Sequence, residues 1–253
     1  MKKVLVPLPS YGFDPTESAV PFARLTRAGH AIAFATPRGT VASADRRMLT
    51  GETLPRPLRA SLMAEPSAVA RYREMETSPA FRNPIAYASI DPDEYDALLL
   101  PGGHDKGMRE YLEDARLQSA VAAFFARGKI VAAICHGTLL AARSRSGGRS
   151  VLWGRRTTGL TRRQELVAWW LTRWTLGDYY RTYDVPMADE LIVNLRSPGD
   201  YDPGPGFPIP LVRDSEDRLG PGFTVRDGAY LSARWPGDAH RFSEELTGML
   251  DGS

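Results

Sequence analysis

Cys135 and His136 stand side by side, directly after the apolar run Ile130-Val131-Ala132-Ala133-Ile134 and directly before Gly137. A thiol with an imidazole beside it is a pairing for covalent catalysis: sulfur attacks an electrophilic carbon and the ring takes the proton. A free cysteine is more often a small buried hydrophobe. Here Ala133 and Gly137, two positions to either side, point instead to a sharp strand-to-helix turn, whose tightness demands small neighbours. Such a turn holds the side chain at the C-terminal end of a sheet, and the helix N-terminus beyond it is expected to favour the thiolate. His104 follows Gly102-Gly103 at the end of another apolar run and is expected near the same place. His30, opening a strand, reads as structural, and His240, in the last helix, as a surface residue.

The elements that must bring these residues together are legible in outline. Residues 3–8 are a short apolar run, a buried strand. Residues 16–28 read as a helix with Thr16 as its N-cap and Gly29 as its stop, with Pro21 awkward beyond the first turns. Residues 30–36 form a second strand. A chain that opens β–α–β favours a parallel sheet with right-handed crossovers. Residues 41–90, rich in Arg, Pro and Ser, are too long for a plain connection. They read as a cap inserted into one domain spanning 1–253, with a helix near 66–76, lying over one end of the sheet. The α/β rhythm then resumes: a strand at 96–101, a helix at 114–127 with Leu117, Val121, Phe124 and Phe125 on one face, the strand 129–134 and a helix over about 137–145. Farther on, 162–176 reads as a helix carrying Trp169, Trp170 and Trp174, 198–210 as a loop, 223–233 as a hairpin turning at Asp227-Gly228, and 238–250 as a helix.

Composition closes off other chemistries. The net charge of +2 over 253 residues implies no strong field for nucleic acid or a membrane. Arginine supplies 28 of the 32 basic residues, which reads as coding bias, and the pairs 155–156 and 162–163 read as solvated surface. No histidine or cysteine spacing suits zinc. Gly102-Gly103 and Gly147-Gly148 lack the pattern of a phosphate loop. No metal or cofactor is therefore expected. One cysteine allows no intrachain disulfide and suits a reducing compartment. Pro7 and Pro9 interrupt the N-terminal apolar run, and no stretch approaches the roughly 20 apolar residues of a membrane span. A cytoplasmic protein is expected.

Four segments, taken in order, resemble the ThiJ/PfpI superfamily within the class I glutamine amidotransferase-like fold, and most closely its branch of glyoxalase III and heat-inducible chaperone-like proteins. They are Glu17 with Ala28-Gly29-His30 and Ala35-Thr36-Pro37-Arg38-Gly39; Asp91-Pro92-Asp93-Glu94-Tyr95-Asp96-Ala97 running into Leu100-Pro101-Gly102-Gly103-His104; Ala132-Ala133-Ile134-Cys135-His136-Gly137; and Thr158-Gly159-Leu160-Thr161-Arg162-Arg163-Gln164-Glu165. The 41–90 insertion and the tail Asp227-Gly228-Ala229-Tyr230-Leu231 also match that branch. The resemblance implies a flavodoxin-like three-layer sandwich with a mostly parallel central sheet. By position it implies Cys135 as nucleophile, His136 as its partner, Glu165 orienting His136, and a protonated Glu17 against the sulfur. Backbone amides near Gly103 and after Cys135 would form the oxyanion hole. Gly102, Gly103, His104 and Gly137 belong to that region, and Arg234 and Trp235 fall where the family lines its site. A homodimer is also implied. The chain departs from the family at Thr138, where Pro is frequent, in the segment Ser232–Ala239, and throughout 166–222.

The activity this implies is cofactor-independent and glyoxalase III-like, converting a 2-oxoaldehyde to a 2-hydroxy acid. The alternatives are another thiol-dependent hydrolysis or hydration, such as amide hydrolysis or isonitrile hydration, and a stress chaperone or redox sensor acting through oxidation of Cys135. True glutamine amidotransfer fits less well, because the sequence has no late His-x-Glu pair.

Overall fold

In a computed structural model that describes residues 1–206 and 211–253, seven strands make one sheet. In chain order they are β1 (Lys3–Pro7), β2 (Ala31–Thr36), β3 (Ile85–Ala86), β4 (Ala97–Leu100), β5 (Ile130–Ile134), β6 (Thr224–Asp227) and β7 (Tyr230–Ala233). Their spatial order is β6-β7-β5-β4-β1-β2-β3. All neighbours pair in parallel except the β6–β7 hairpin, which turns at Gly228 with φ +61°. Leu98, Leu99, Leu100, Val131, Ala132, Ala133 and Ile134 are almost wholly buried. Burial on both faces is what helices on each side of a parallel sheet produce. One helical layer holds α1 (Pro15–Arg27), packed on α3 (Pro66–Thr77) and α8 (Ala239–Asp251). The other is built on α4 (Ala115–Ala126) and α5 (Gly137–Arg143), with α7 (Met187–Val193) packed on α5. Two further helices border a crevice, the short α2 (Arg46–Thr50) and the long α6 (Arg162–Leu176).

The chain winds from β1 outward through β2 to β3, then returns to the other side of β1 with β4. The connections after β1 and β4 therefore leave in opposite directions and open a crevice at the C-terminal ends of the strands, where open α/β sheets bind ligands. The turns after β1, β4, β5 and β7 all meet there, and they carry Glu17, Gly102-Gly103-His104, Cys135-His136 and Arg234-Trp235.

Residues 41–90 divide between two tasks. Helix α3 packs on α1 and β3 pairs with β2 at the sheet edge, so this part is built into the sandwich. The stretch around α2 lies nearer the crevice, where Met48 and Leu54 pack with Tyr179 and Tyr180 in a small second core. The N-cap of α1 is Asp14, not Thr16: its Oδ1 accepts from the amides of Thr16 at 2.7 Å and Glu17 at 3.1 Å. An Asp followed by Pro at the first helical position satisfies the helix start better than a threonine one turn in. Pro21 lies inside the helix and removes the amide that would bond the Glu17 carbonyl. The end of the loop expected over 198–210 lies outside the described residues.

Arg234 locks β7 to the start of α8. It is almost completely buried, and its guanidinium grips Asp238 through Nε at 2.9 Å and Nη2 at 2.8 Å. Nη1 donates to the Pro205 carbonyl at 2.7 Å. Removing one partner of such a pair strands a buried charge. Asp238→Ala is therefore expected to lose about 3–5 kcal/mol of unfolding free energy, measured by denaturant titration. A loss under about 1 kcal/mol, the level of an exposed pair, would contradict this reading.

Candidate active site

β5 delivers Cys135 to the crevice. Its ladder continues one residue past the strand, where the Cys135 amide donates to Ala233 O at 3.1 Å. There the backbone breaks sharply: Cys135 has φ +55°, in the left-handed region that a residue with a Cβ occupies only under strain. Two glycines permit the crowding. A Cβ on Gly137 would lie 2.0 Å from Leu100 O. One on Gly102 would lie 2.6 Å from His136 N, 2.9 Å from Glu17 Oε2 and 3.0 Å from Cys135 Cβ. So the turns after β4 and β5 and helix α1 converge within a side chain's reach because Gly102 has none.

Glu17 is completely buried. Its Oε2 accepts from the Gly102 amide at 2.8 Å. Its Oε1 has no well-formed hydrogen-bond partner, but it interacts with the Cys135 thiol closely enough to influence its titration. Burial, reinforced by the negative Asp14, pushes Glu17 well above the ordinary carboxyl range and outweighs the Gly102 amide. This environment favours the neutral carboxyl. Burial also pushes the Cys135 thiol up, against the His136 amide that pulls it down. The helix start was expected to yield a thiolate; enclosure without water outweighs it. A base is needed instead, and the His136 Nδ1 lies 3.5 Å from the sulfur. Burial, with the neighbouring His104 and Arg143, holds His136 well below its ordinary pKa, so the ring is neutral and able to accept. The Cys135 thiol, the Glu17 carboxyl and the His136 ring thus lie together in one buried region.

His104 packs edge-on against His136, ring centroids 5.2 Å apart, and against Tyr180 at 5.0 Å. Burial lowers its pKa to about 4. His104 and Asp14 line a cavity of about 350 Å³ that is also lined by Tyr180, Gln164 and Trp235. Arg213 lines it as well. Cys135 does not: its sulfur is fully buried, and His136, whose Nδ1 is 3.5 Å from it, packs against the cavity residue His104. Of the glycine pair, Gly102 gives its amide to Glu17, whereas the Gly103 amide has no acceptor among the described residues.

Two expected contacts are absent among the described residues. Glu165 does not bond His136: Oε2 accepts from the Met187 amide at 2.8 Å, and Oε1 lies 3.9 Å from Arg181 Nε. It ties α6 to the start of α7. Arg234 is turned away into its pair with Asp238, and only Trp235 of that couple reaches the cavity. Asp14, Tyr180 and Arg213 were not singled out from the sequence. Asp14-Pro15 carried a readable capping signal, while Tyr180 and Arg213 come from connections whose path depends on the rest of the fold. His30 is buried ahead of β2, its Nε2 3.3 Å from Asp251.

Burial raises Glu165 to about 7 and Asp214 to about 7, from ordinary values of 4.5 and 3.8. Carboxyls raised in the folded state contribute stability that is present below their unfolded pKa and lost as pH climbs through the folded one. The buried histidines work oppositely, but only below their ordinary 6.5. Melting temperature is therefore expected to fall from pH 6.5 to 8.5, with a shallower fall in Glu165→Gln. A flat wild-type profile, or an unchanged slope in the variant, would refute this.

A family model described as ThiJ/PfpI family-like matches residues 8–205. An uncharacterised protein of Schizosaccharomyces pombe is 30% identical over 122 residues, 47% of this chain and 44% of that protein. A deglycase of Thermococcus kodakarensis is 43% identical over 53 residues, 21% of this chain and 31% of that protein. The chain thus spans less than half the length of these curated relatives. The solved structure of glyoxalase III from Candida albicans superposes with a TM-score of 0.70 at 20% identity, covering 98% of this chain and 96% of that one. At that identity the likeness establishes the mostly parallel α/β fold. No helix among the described residues is long and apolar enough to cross a membrane. The matched residues include the turns after β1, β4 and β5, and the chain belongs to the ThiJ/PfpI-like family.

Proposed function

We propose that the protein is a cysteine-dependent enzyme that acts on small reactive carbonyls and converts a 2-oxoaldehyde to a 2-hydroxy acid without a cofactor. The observation that carries this reading is the pairing of Cys135, held at φ +55°, with a fully buried neutral Glu17. The structural likeness to a glyoxalase III supports it, as does the local identity to a deglycase.

The chemistry balances with the groups at hand. The Cys135 sulfur adds to the aldehyde carbon, while its proton passes through His136 Nδ1 to the aldehyde oxygen, giving a hemithioacetal. In this scheme the Gly103 amide steadies that oxygen as charge develops. Neutral His136 then removes the proton from this carbon as Glu17 gives its own proton to the adjacent carbonyl oxygen, forming an enediol. His136 returns its proton to the second carbon, and the Glu17 carboxylate takes the hydroxyl proton from the first. The result is a thioester with both groups restored. Water cleaves the thioester to the 2-hydroxy acid and the free thiol. Glu17 serves as an acid only because burial keeps its proton on, which is the usual way a carboxyl is fitted to such work at neutral pH.

Purified protein is expected to convert methylglyoxal to lactate. Cys135→Ala abolishes this, and Glu17→Ala lowers kcat by about 10²–10⁴, followed by loss of aldehyde and enzymatic assay of lactate. Normal turnover by Cys135→Ala would eliminate the scheme.

A further inference from the structure

The cavity lined by His104, which packs on the ring of His136, is much larger than a three-carbon aldehyde requires. At about 350 Å³ it falls within the roughly 300–1,000 Å³ that encloses drug-sized ligands. Its character changes with depth. Asp14 and His104 lie at the end nearest the sulfur: Asp14 bonds the Glu17 amide at 3.1 Å, and His104 packs on His136. Away from that end the lining is mostly apolar, with Met48, Leu62, Leu160, Val167 and Leu171 among its side chains, interrupted by Ser61, Gln164 and Arg213. These come from three parts of the chain, α2 and the turns after it, the loop before α6, and α6 itself, so the apolar lining is a product of the whole fold. The walls near the polar end also hold unpartnered buried polar atoms, Tyr180 Oη and His104 Nδ1, with Trp235 Nε1 higher up. A buried polar atom without a partner is unfavourable, and a bound carbonyl compound offers oxygens to meet it.

We infer that the substrate is a 2-oxoaldehyde carrying a long aliphatic or aryl tail, with its two carbonyl groups at the Cys135 end and its tail along Leu62, Leu160 and Val167. This rests on the carbonyl reading above and narrows it to a substrate class. A methylglyoxal molecule reaches only the polar end and gains nothing from the apolar lining. Each further methylene buried there increases kcat/KM about fourfold until the cavity is filled.

The test is a chain-length series at pH 7: methylglyoxal, 2-oxohexanal, 2-oxooctanal and phenylglyoxal, with kcat/KM measured for wild type and Ala168→Phe. Ala168 lies on α6 in the cavity wall, where a ring takes up tail space. Wild type is expected to gain at least tenfold from methylglyoxal to 2-oxooctanal, mainly through KM. Ala168→Phe is expected to shrink that ratio at least fivefold. A flat or falling wild-type series, with methylglyoxal turned over well, overturns the long-tail substrate and leaves the carbonyl chemistry standing. Consumption of none of the four aldehydes overturns both. The wild-type series decides the matter even if Ala168→Phe fails to fold.

Discussion

A carboxyl group and a thiol lie together, both fully buried from bulk solvent, and much of the structure is arranged around that pair. Burial makes an anion there costly, which pushes the Glu17 carboxyl towards its neutral form, and the nearby Asp14 reinforces this. The Gly102 amide fixes one carboxyl oxygen, and the Cys135 thiol acts on the same carboxyl as a side-chain partner. Each neighbour serves the same confinement. Gly102 has no side chain to intrude, Gly137 lets α5 start against Leu100, and the left-handed backbone at Cys135 holds the sulfur at the sheet's end.

The fold supplies that confinement through its topology. Because β4 returns to the far side of β1, two connections diverge and leave a crevice exactly where four strands end at one edge. Glu17 comes from the connection after β1 and Cys135-His136 from the one after β5, so no local segment contains the site. The cavity beside it is built largely by α6 and the residues after β2. The reacting groups and the selecting walls are therefore separable, and the walls can diverge without disturbing the sulfur.

The sequence made the sheet and the cysteine turn legible because both leave local marks. An all-apolar run of five residues ending at Cys-His-Gly has few other interpretations, and β1, β2, β4 and β5 lie where apolar runs placed them. The two-residue β3 leaves no periodicity to read. Arg234 and Glu165 show where local reading fails. A charged residue beside a site segment looks like a ligand contact, but the partner that decides its direction is Asp238 for one and the Met187 amide for the other. Asp238 is only four residues on, yet the pair forms because β7 runs straight into α8, a junction that periodicity does not reveal. The start of α1 was misplaced for a simpler reason: Asp14 caps better than Thr16.

The protonation of Glu17 can be observed directly. In an infrared difference spectrum at pH 7 between wild type and Glu17→Gln, a protonated carboxylic acid carbonyl band belonging to wild type alone is expected. The paired bands of an ionised carboxylate in its place would mean that Glu17 has lost its proton, and the acid on which the chemistry turns would be gone.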